Sequence, residues 1–129
     1  MKPAVPILRF FEESRAKAFY CDFLGFALEW EHRFGENFPL YCQVRRGECV
    51  LHLSGHSGDA TPGSGLRIEM ENVRDYVASL RAKDDVFCKP GEPEAMPWGN
   101  VELTLTDPFG NRITLFERGP EPSPEMTPA

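Results

Sequence analysis

Apolar residues along the chain follow the spacing of one strand, one helix and three further strands. This pattern predicts the first strand at residues 5–10 and the helix at residues 14–24. Three strands are then predicted at residues 27–34, 38–45 and 49–54. The helix prediction rests on an apolar stripe at i, i+3, i+4 and i+7, formed by Ala16, Phe19, Tyr20 and Phe23. Gly25 ends this helix, and Phe26 is placed to close its C-terminal cap.

The same order of elements returns after a loop rich in glycine and serine at residues 55–64. Residues 65–71 predict a strand, and residues 73–83 predict a helix. Asn72 is placed as its N-cap, with Asp75 completing a variant capping box. Three more strands are predicted in the last part of the chain, at residues 86–89, 100–106 and 112–118.

Two units of identical element order, offset by about 60 residues, are an internal repeat of architecture. The sequence therefore predicts an α+β fold of two βαβββ modules, residues 1–58 and residues 59–118. Each sheet would carry its helix on one face, and the two sheets would curl into a half-barrel with the helices on the outer face. The tail GPEPSPEMTPA, residues 119–129, is rich in Pro and Glu and is predicted to be disordered.

Strand alternation divides the side chains of both sheets into two sets. One set is almost purely apolar, which is typical of the face that packs against the helices. The other set mixes charged, polar and aromatic residues. We interpret that second face as the wall of a ligand site, because aromatic and charged groups converge on a concave surface.

The composition of the chain limits the kinds of ligand and the cellular location that we expect. The chain has 129 residues, 41% hydrophobic content and a net charge of -6, which argues against nucleic acid as the ligand. No apolar run approaches the length of about 18 residues expected of a membrane span. The four cysteines form no Cys-x-x-Cys pair, so we expect reduced thiols and a cytoplasmic location.

Four segments carry a resemblance to a known family. They are VPILRFFEESRAKAFYCDFLGF, TPGSGLRIEMENV, MPWGNVEL and LTDPFGNRITLFE. Together they resemble the vicinal oxygen chelate superfamily of glyoxalases, extradiol dioxygenases, and fosfomycin and bleomycin resistance proteins. Within it, residues 5–8 and the segment Pro97-Trp98-Gly99 are most similar to bleomycin resistance proteins.

The resemblance implies paired βαβββ modules, homodimers and, in the metalloenzymes, a metal held by His, Gln or Glu. Carried over by position, the metal ligands of the family fall on Val5, Gly65 and Thr114. None of these side chains is a normal ligand for a divalent metal. A fourth position is matched by Glu102, but a single carboxylate does not hold a catalytic ion. We therefore expect no metal, no cofactor and no catalytic residues.

Because the metal ligands are missing, the resemblance favours those members of the superfamily that bind a small molecule without catalysing a reaction. We predict a non-enzymatic homodimer that confers antibiotic resistance by sequestering a bulky, cationic, aromatic small molecule such as bleomycin. Aromatic faces would stack on the ligand, and carboxylates would meet its cationic groups. Trp30 is a further candidate for contact with the ligand, but it fits a role in core or dimer packing at least as well. The predicted ligand-binding residues are Trp98, Phe38, Phe34, Tyr41, His52, Glu102, Thr114 and Arg67.

Two alternatives remain open. One is a metal-dependent lyase or dioxygenase of the same superfamily with relocated ligands drawn from His52, His56 and Glu102. The other is a binder of an endogenous metabolite that shares only ancestry with the drug-binding members. Fold alone does not separate this second alternative from drug sequestration.

Overall fold

A computed structural model describes residues 1–85 and 88–120 of the chain. The chain divides into two compact units. Unit 1 comprises Met1–Ser64 together with Thr106–Arg112, and unit 2 comprises Gly65–Leu105 and the chain from Ile113 onwards. Each unit contains one four-stranded sheet. In the described part of the chain, no helix is long and apolar enough to cross a membrane.

Unit 1 builds its sheet, sheet A, from four strands in the spatial order β1-β4-β3-β2. β1 is parallel to β4, and the other neighbours are antiparallel. The predicted first strand is shorter than residues 5–10, because Pro6 has no N–H to donate to a ladder. The strands are β1 (Ile7–Arg9), β2 (Ala27–Arg33), β3 (Leu40–Arg46) and β4 (Cys49–Ser54).

The predicted helix of unit 1 is present, but it is not a uniform α-helix. It begins as α1 (Glu13–Lys17) and continues as a π-helical segment (Ala18–Phe23). The apolar spacing does not distinguish the two, because the wider turn still buries the side chains of the predicted stripe. The predicted end is confirmed: Gly25 has φ 87°, and the Phe26 N–H donates to the Tyr20 carbonyl at 2.9 Å.

Unit 2 repeats this arrangement in sheet B, whose strand order is β5-β8-β7-β6. In both sheets the first strand of the module lies beside the last, so the predicted α+β fold of two βαβββ modules is confirmed. The elements are β5 (Gly65–Glu69), α2 (Val73–Ala82), β6 (Glu94–Ala95), β7 (Val101–Thr106) and β8 (Arg112–Glu117).

The strand predicted at residues 86–89 is not found in the described part of that range. Val86 and Phe87 lie outside the described residues, and residues 88–89 belong to no strand. The partner of β7 is β6 instead, because a tight turn brings back the segment directly before it. That turn is closed by the Met96 N–H, which donates to the Asn100 carbonyl at 2.7 Å. Of the predicted disordered tail, residues 121–129 also lie outside the described residues.

Asn72 occupies the predicted N-cap position of the second helix, but the predicted capping does not occur. Asn72 has φ 58°, in the left-handed region, and its side chain makes no capping hydrogen bond. An N-cap side chain needs an extended backbone to reach the first N–H groups, so the capping box with Asp75 does not form. The first helical N–H, that of Val73, donates instead to the Glu117 carboxylate at 3.2 Å.

Alternate residues of the strands and the apolar stripes of the helices form the core. The apolar side chains predicted to pack against the helix are largely buried in sheet A. In sheet B several of the corresponding side chains are only half-buried, namely Leu66, Ile68, Met70, Val101 and Leu103. The most deeply buried apolar residues are Leu8, Phe19, Tyr20, Val44, Leu51, Leu53, Val73, Val77, Leu80 and Ile113.

The turn between β7 and β8 is organised by Asp107. Its Oδ1 accepts the backbone N–H groups of Phe109 and Asn111, each at 2.8 Å, as short polar side chains do in turns. Its Oδ2 accepts the Tyr20 hydroxyl at 2.6 Å and the Asn111 amide at 2.8 Å. The pKa of Tyr20 is raised by burial and by the neighbouring carboxylate. The turn is thus fixed to the π-helical segment within unit 1.

Asn111 completes this network and is fully buried. Its amide also donates to the Arg9 carbonyl at 2.8 Å, and its Oδ1 accepts the Ser64 N–H at 3.1 Å. One side chain therefore satisfies backbone groups of two further segments of unit 1, which a buried polar residue must do to offset its desolvation.

Candidate functional site

The helix-free face of sheet A carries an aromatic wall. The register aligns Ile7, His52, Gln43 and Trp30 across the four strands, with Tyr41 one step along on the same face. The Trp30 indole stacks on the Tyr41 ring, with centroids 6.0 Å apart and an interplanar angle of 14°. The imidazole of His52 stands edge-on to both rings, at 5.3 Å and 5.2 Å. We call these three rings the aromatic wall.

Hydrogen bonds fix the tautomer of His52. The Gln43 amide nitrogen donates to Glu29 at 2.9 Å, so the Gln43 oxygen faces His52 Nε2 at 2.8 Å. Nε2 is therefore the protonated nitrogen, and Nδ1 accepts the Tyr41 hydroxyl at 2.7 Å. Burial lowers the pKa of His52, so the ring is neutral at pH 7. Both nitrogens are already engaged, and neither is free to coordinate a metal.

The predicted residues Phe34 and Phe38 lie beyond the end of β2, also in unit 1. Their side chains are strongly exposed, at 65% and 51%. The Phe34 ring makes edge-on contacts with His32 at 4.5 Å and with His56 at 5.3 Å. Phe34 therefore belongs to an exposed aromatic cluster next to the wall along β2, while Phe38 follows in the adjoining turn.

Unit 2 contains four of the predicted residues: Arg67, Glu102 and Thr114 lie on the helix-free face of sheet B, and Trp98 lies in the turn before β7. Glu102 is only 6% exposed. Arg67 donates to both of its carboxylate oxygens, at 3.2 Å and 2.8 Å. The Trp98 indole N–H at 2.8 Å and the Asn100 amide at 3.2 Å donate to Oε2. The Arg67 guanidinium and these neutral donors lower the pKa of Glu102 to about 2.

Phe116 lies beneath the guanidinium of Arg67. The guanidinium carbon is 4.6 Å from the ring centroid, a distance typical of a cation–π contact. Because β8 lies between β5 and β7, the Arg67 side chain crosses β8 above Phe116 to reach Glu102. Arg118 approaches the same ring at 5.8 Å and pairs with Glu69 at 2.9 Å.

The residues at the metal positions of the family do not fit a metal ion. Val5 is apolar, Gly65 has no side chain, and the Thr114 hydroxyl is hydrogen-bonded to Thr104 at 2.8 Å. Glu102 is buried and already accepts four hydrogen bonds, three of them at Oε2. Among residues 1–85 and 88–120, no three His, Cys, Asp or Glu side chains gather as a metal-binding group. Nε2 of His56 is buried and has no hydrogen-bond partner.

The structure therefore places the predicted residues in two groups, one in each unit. Phe34, Phe38, Tyr41 and His52 lie in unit 1, and Arg67, Trp98, Glu102 and Thr114 lie in unit 2. The predicted set lacked several residues that complete these groups, because the hydrogen bonds and ring contacts between strands depend on register. The missing residues are Trp30, Gln43, Asn100 and Phe116. Strand alternation alone placed Gln43 and Phe116 on the correct face.

Comparison with known families supplies the identification. The family model described as "Glyoxalase superfamily protein" matches residues 1–121. The chain belongs to the glyoxalase superfamily. This confirms the resemblance found in the sequence. A search of the curated proteins finds no match by sequence.

Several solved structures share the fold. A bleomycin-binding protein complexed with bleomycin is 19% identical, with a TM-score of 0.71 over 92% of this chain and 99% of that one. TnmS3, an antibiotic binding protein from Streptomyces sp. CB03234, is 23% identical, with a TM-score of 0.69 over 92% and 98%. A glyoxalase family protein from Enterococcus faecalis is 19% identical, with a TM-score of 0.67 over 88% and 94%. At these identities the likeness shows the fold alone.

Proposed function

We propose that this glyoxalase-superfamily chain is a metal-free binding protein that sequesters a bulky, flat, aromatic small molecule. The observation that carries the proposal is the aromatic wall of Trp30, Tyr41 and His52. Trp30 is 41% exposed although it is a large apolar side chain on a sheet face. An exposed aromatic face stacks favourably on a flat ligand, at about 0.5–1.5 kcal/mol per ring beyond area burial.

The chemistry of the wall suits binding rather than catalysis. His52 is neutral and bound at both nitrogens, so it offers no free base to a substrate. The family's metal positions carry Val5, Gly65 and Thr114, whose side chains are not normal ligands of a divalent ion, so the proposed function has no metal-dependent step. In sequestration, tight binding alone lowers the free concentration of the ligand by mass action, and no bond is broken.

Antibiotic resistance is the biological role we propose for this binding. Two proteins of the same fold are described as a bleomycin-binding protein and an antibiotic binding protein. Bleomycin is therefore the first ligand to test, and an endogenous metabolite with a flat aromatic group would use the same wall. All four cysteines are free thiols, which suits a reducing compartment, and we place the protein in the cytoplasm.

Isothermal titration calorimetry with metal-free bleomycin tests the proposal. We expect saturable binding in the micromolar range or tighter. Trp30→Leu should weaken it about tenfold, which corresponds to about 1.4 kcal/mol of lost stacking. Phe11→Leu is the matched control, since Phe11 is an exposed ring outside the wall. Equal losses in both variants, or no saturable heat in the wild type, would count against the proposal.

We further propose that the protein is a homodimer, as the superfamily resemblance implies. Seven large apolar side chains of unit 1 besides Met1 are more than a third exposed, which leaves apolar surface for a second copy to cover. Sedimentation equilibrium at micromolar concentration should give a mass near twice the 14.6 kDa of one chain. A mass of one chain across that range would reject the dimer.

A further inference from the structure

The helix-free face of sheet B holds a cation in a fixed orientation. The Arg67 guanidinium is bound end-on by both oxygens of Glu102 and lies over the Phe116 ring. Its side chain is 51% exposed, whereas the side chain of Glu102 is only 5% exposed. A molecule that approaches this face therefore meets the guanidinium before the carboxylate.

Glu102 is unavailable as a partner for a cationic ligand. Arg67, Trp98 and Asn100 occupy its two oxygens with four hydrogen bonds. A cationic group could reach Glu102 only by displacing Arg67. The buried carboxylate would then lose the two hydrogen bonds that Arg67 donates. The one carboxylate of β5, Glu69, is likewise paired, with Arg118 at 2.9 Å.

Arg67 keeps hydrogen-bonding capacity after it has bound Glu102. A guanidinium has five N–H groups, and the bonds to Glu102 use two of them. Its orientation is set before any ligand arrives, because Glu102 is buried and is itself held by Trp98 and Asn100. A group ordered in advance loses little conformational entropy on binding, which strengthens its contact with a ligand.

We propose that Arg67 is an anion-binding residue that selects aromatic ligands bearing a carboxylate, sulfonate or similar acidic group, with Glu102 as its positioning residue. This inference rests on the proposed binding function and specifies the ligand class of the face in unit 2. The acidic group of the ligand accepts charge-assisted hydrogen bonds from the free N–H groups of Arg67, and its aromatic part stacks on the half-buried Trp98 indole of the same unit. The ligand class of this face thus differs from the cationic one expected from the sequence, whereas bleomycin remains the ligand proposed for the aromatic wall of unit 1.

Two fluorescent probes of matched shape test this assignment. The sulfonate 8-anilinonaphthalene-1-sulfonate and neutral N-phenyl-1-naphthylamine share the same rings and differ only in the acidic group. We expect the wild type to bind the sulfonate about tenfold more tightly than the neutral probe. Arg67→Gln should weaken the sulfonate about tenfold and leave the neutral probe within about twofold.

Two further variants sharpen the result. Glu102→Gln should give a smaller selective loss for the sulfonate, because Arg67 keeps its charge but loses its bidentate partner. Arg81→Gln is the matched control: Arg81 is also half-exposed and pairs with a carboxylate, Glu92, at 2.6 Å, but it lies on α2. The control removes the same net charge and should leave the affinity for both probes unchanged.

Three outcomes would overturn the inference. In the first, Arg67→Gln and Arg81→Gln weaken the sulfonate equally, which indicates a general effect of net charge. In the second, Arg67→Gln leaves sulfonate binding at the wild-type level. In both, if bleomycin still binds the wild type in a Trp30-dependent way, only the assignment of Arg67 fails. In the third, neither probe binds the wild type; the inference then fails, and the bleomycin titration decides whether the proposed function fails with it.

Discussion

At the scale of single residues, neighbours decide what a charged or titratable side chain can do. Glu102 has the chemistry of a cation ligand, but four donor bonds and burial make it a structural anchor. His52 has the chemistry of a base or metal ligand, but Tyr41 and Gln43 occupy both ring nitrogens. Residue type and spacing revealed neither restriction, because both depend on cross-strand partners.

Glu102→Gln should lower the stability of the protein by on the order of 2 kcal/mol at pH 7. The folded pKa of Glu102, about 2, lies below the ordinary value of 4.5. Its ionised form therefore stabilises the fold above pH 4.5, and this contribution is lost as the pH falls towards 2. Urea unfolding at several pH values should show the gap between wild type and variant narrowing from pH 6 to pH 3.

Glu94→Gln is the control for that experiment. Glu94 lies directly opposite Glu102 in the pairing of β6 with β7, but it is exposed. A surface substitution of this kind changes stability by no more than about 0.5 kcal/mol. If Glu94→Gln and Glu102→Gln destabilise equally, or the gap does not depend on pH, the role given to Glu102 is wrong.

At the scale of elements, the turn between β7 and β8 is fixed by polar contacts that the sequence did not reveal. The motif Asp107-Pro108-Phe109-Gly110-Asn111 was readable as a tight turn between two strands. The bond from the Tyr20 hydroxyl to Asp107 joins residues 87 positions apart. A local pattern predicts the turn, but contacts over such separations need the tertiary fold.

Substitutions at this turn should rank by the polar atoms they leave unpaired. Asp107→Asn would place an amide nitrogen either against the side-chain donors of Tyr20 and Asn111 or against the backbone N–H groups of Phe109 and Asn111, and should cost about 2–3 kcal/mol. Tyr20→Phe removes one donor and leaves three bonds to Asp107, so we expect about 1–2 kcal/mol. Thermal and urea unfolding measure both. The reverse order would contradict this account of the turn.

Other elements show where local patterns stop being informative. Apolar periodicity predicted both helices and their buried stripes, but it did not distinguish the α-helical residues from the π-helical segment at Ala18–Phe23. A strand was predicted at residues 86–89, whereas the segment that pairs with β7 is β6, because the turn at residues 96–100 brings β6 back onto β7. Asn72 has a residue type suited to an N-cap, but its backbone is left-handed.

At the scale of the whole molecule, the repeated element order was the most informative feature of the sequence. It predicted the α+β fold of paired βαβββ modules, and the two sheets have the same strand order. Which residues form the candidate site was only partly predictable from the sequence. Strand alternation indicated which face each residue occupies, whereas contacts such as Trp30 on Tyr41 follow from the register of neighbouring strands.

The central claim is that the aromatic wall binds a flat ligand without a metal ion. The chain has two tryptophans, one in each unit, so Trp98→Phe leaves Trp30 as the only indole reporter. Titration of this variant with bleomycin, with and without EDTA, tests the claim most directly. We predict a saturable change in Trp30 fluorescence with the same midpoint in both conditions. No saturable change, or one that requires an added divalent metal, would contradict the claim.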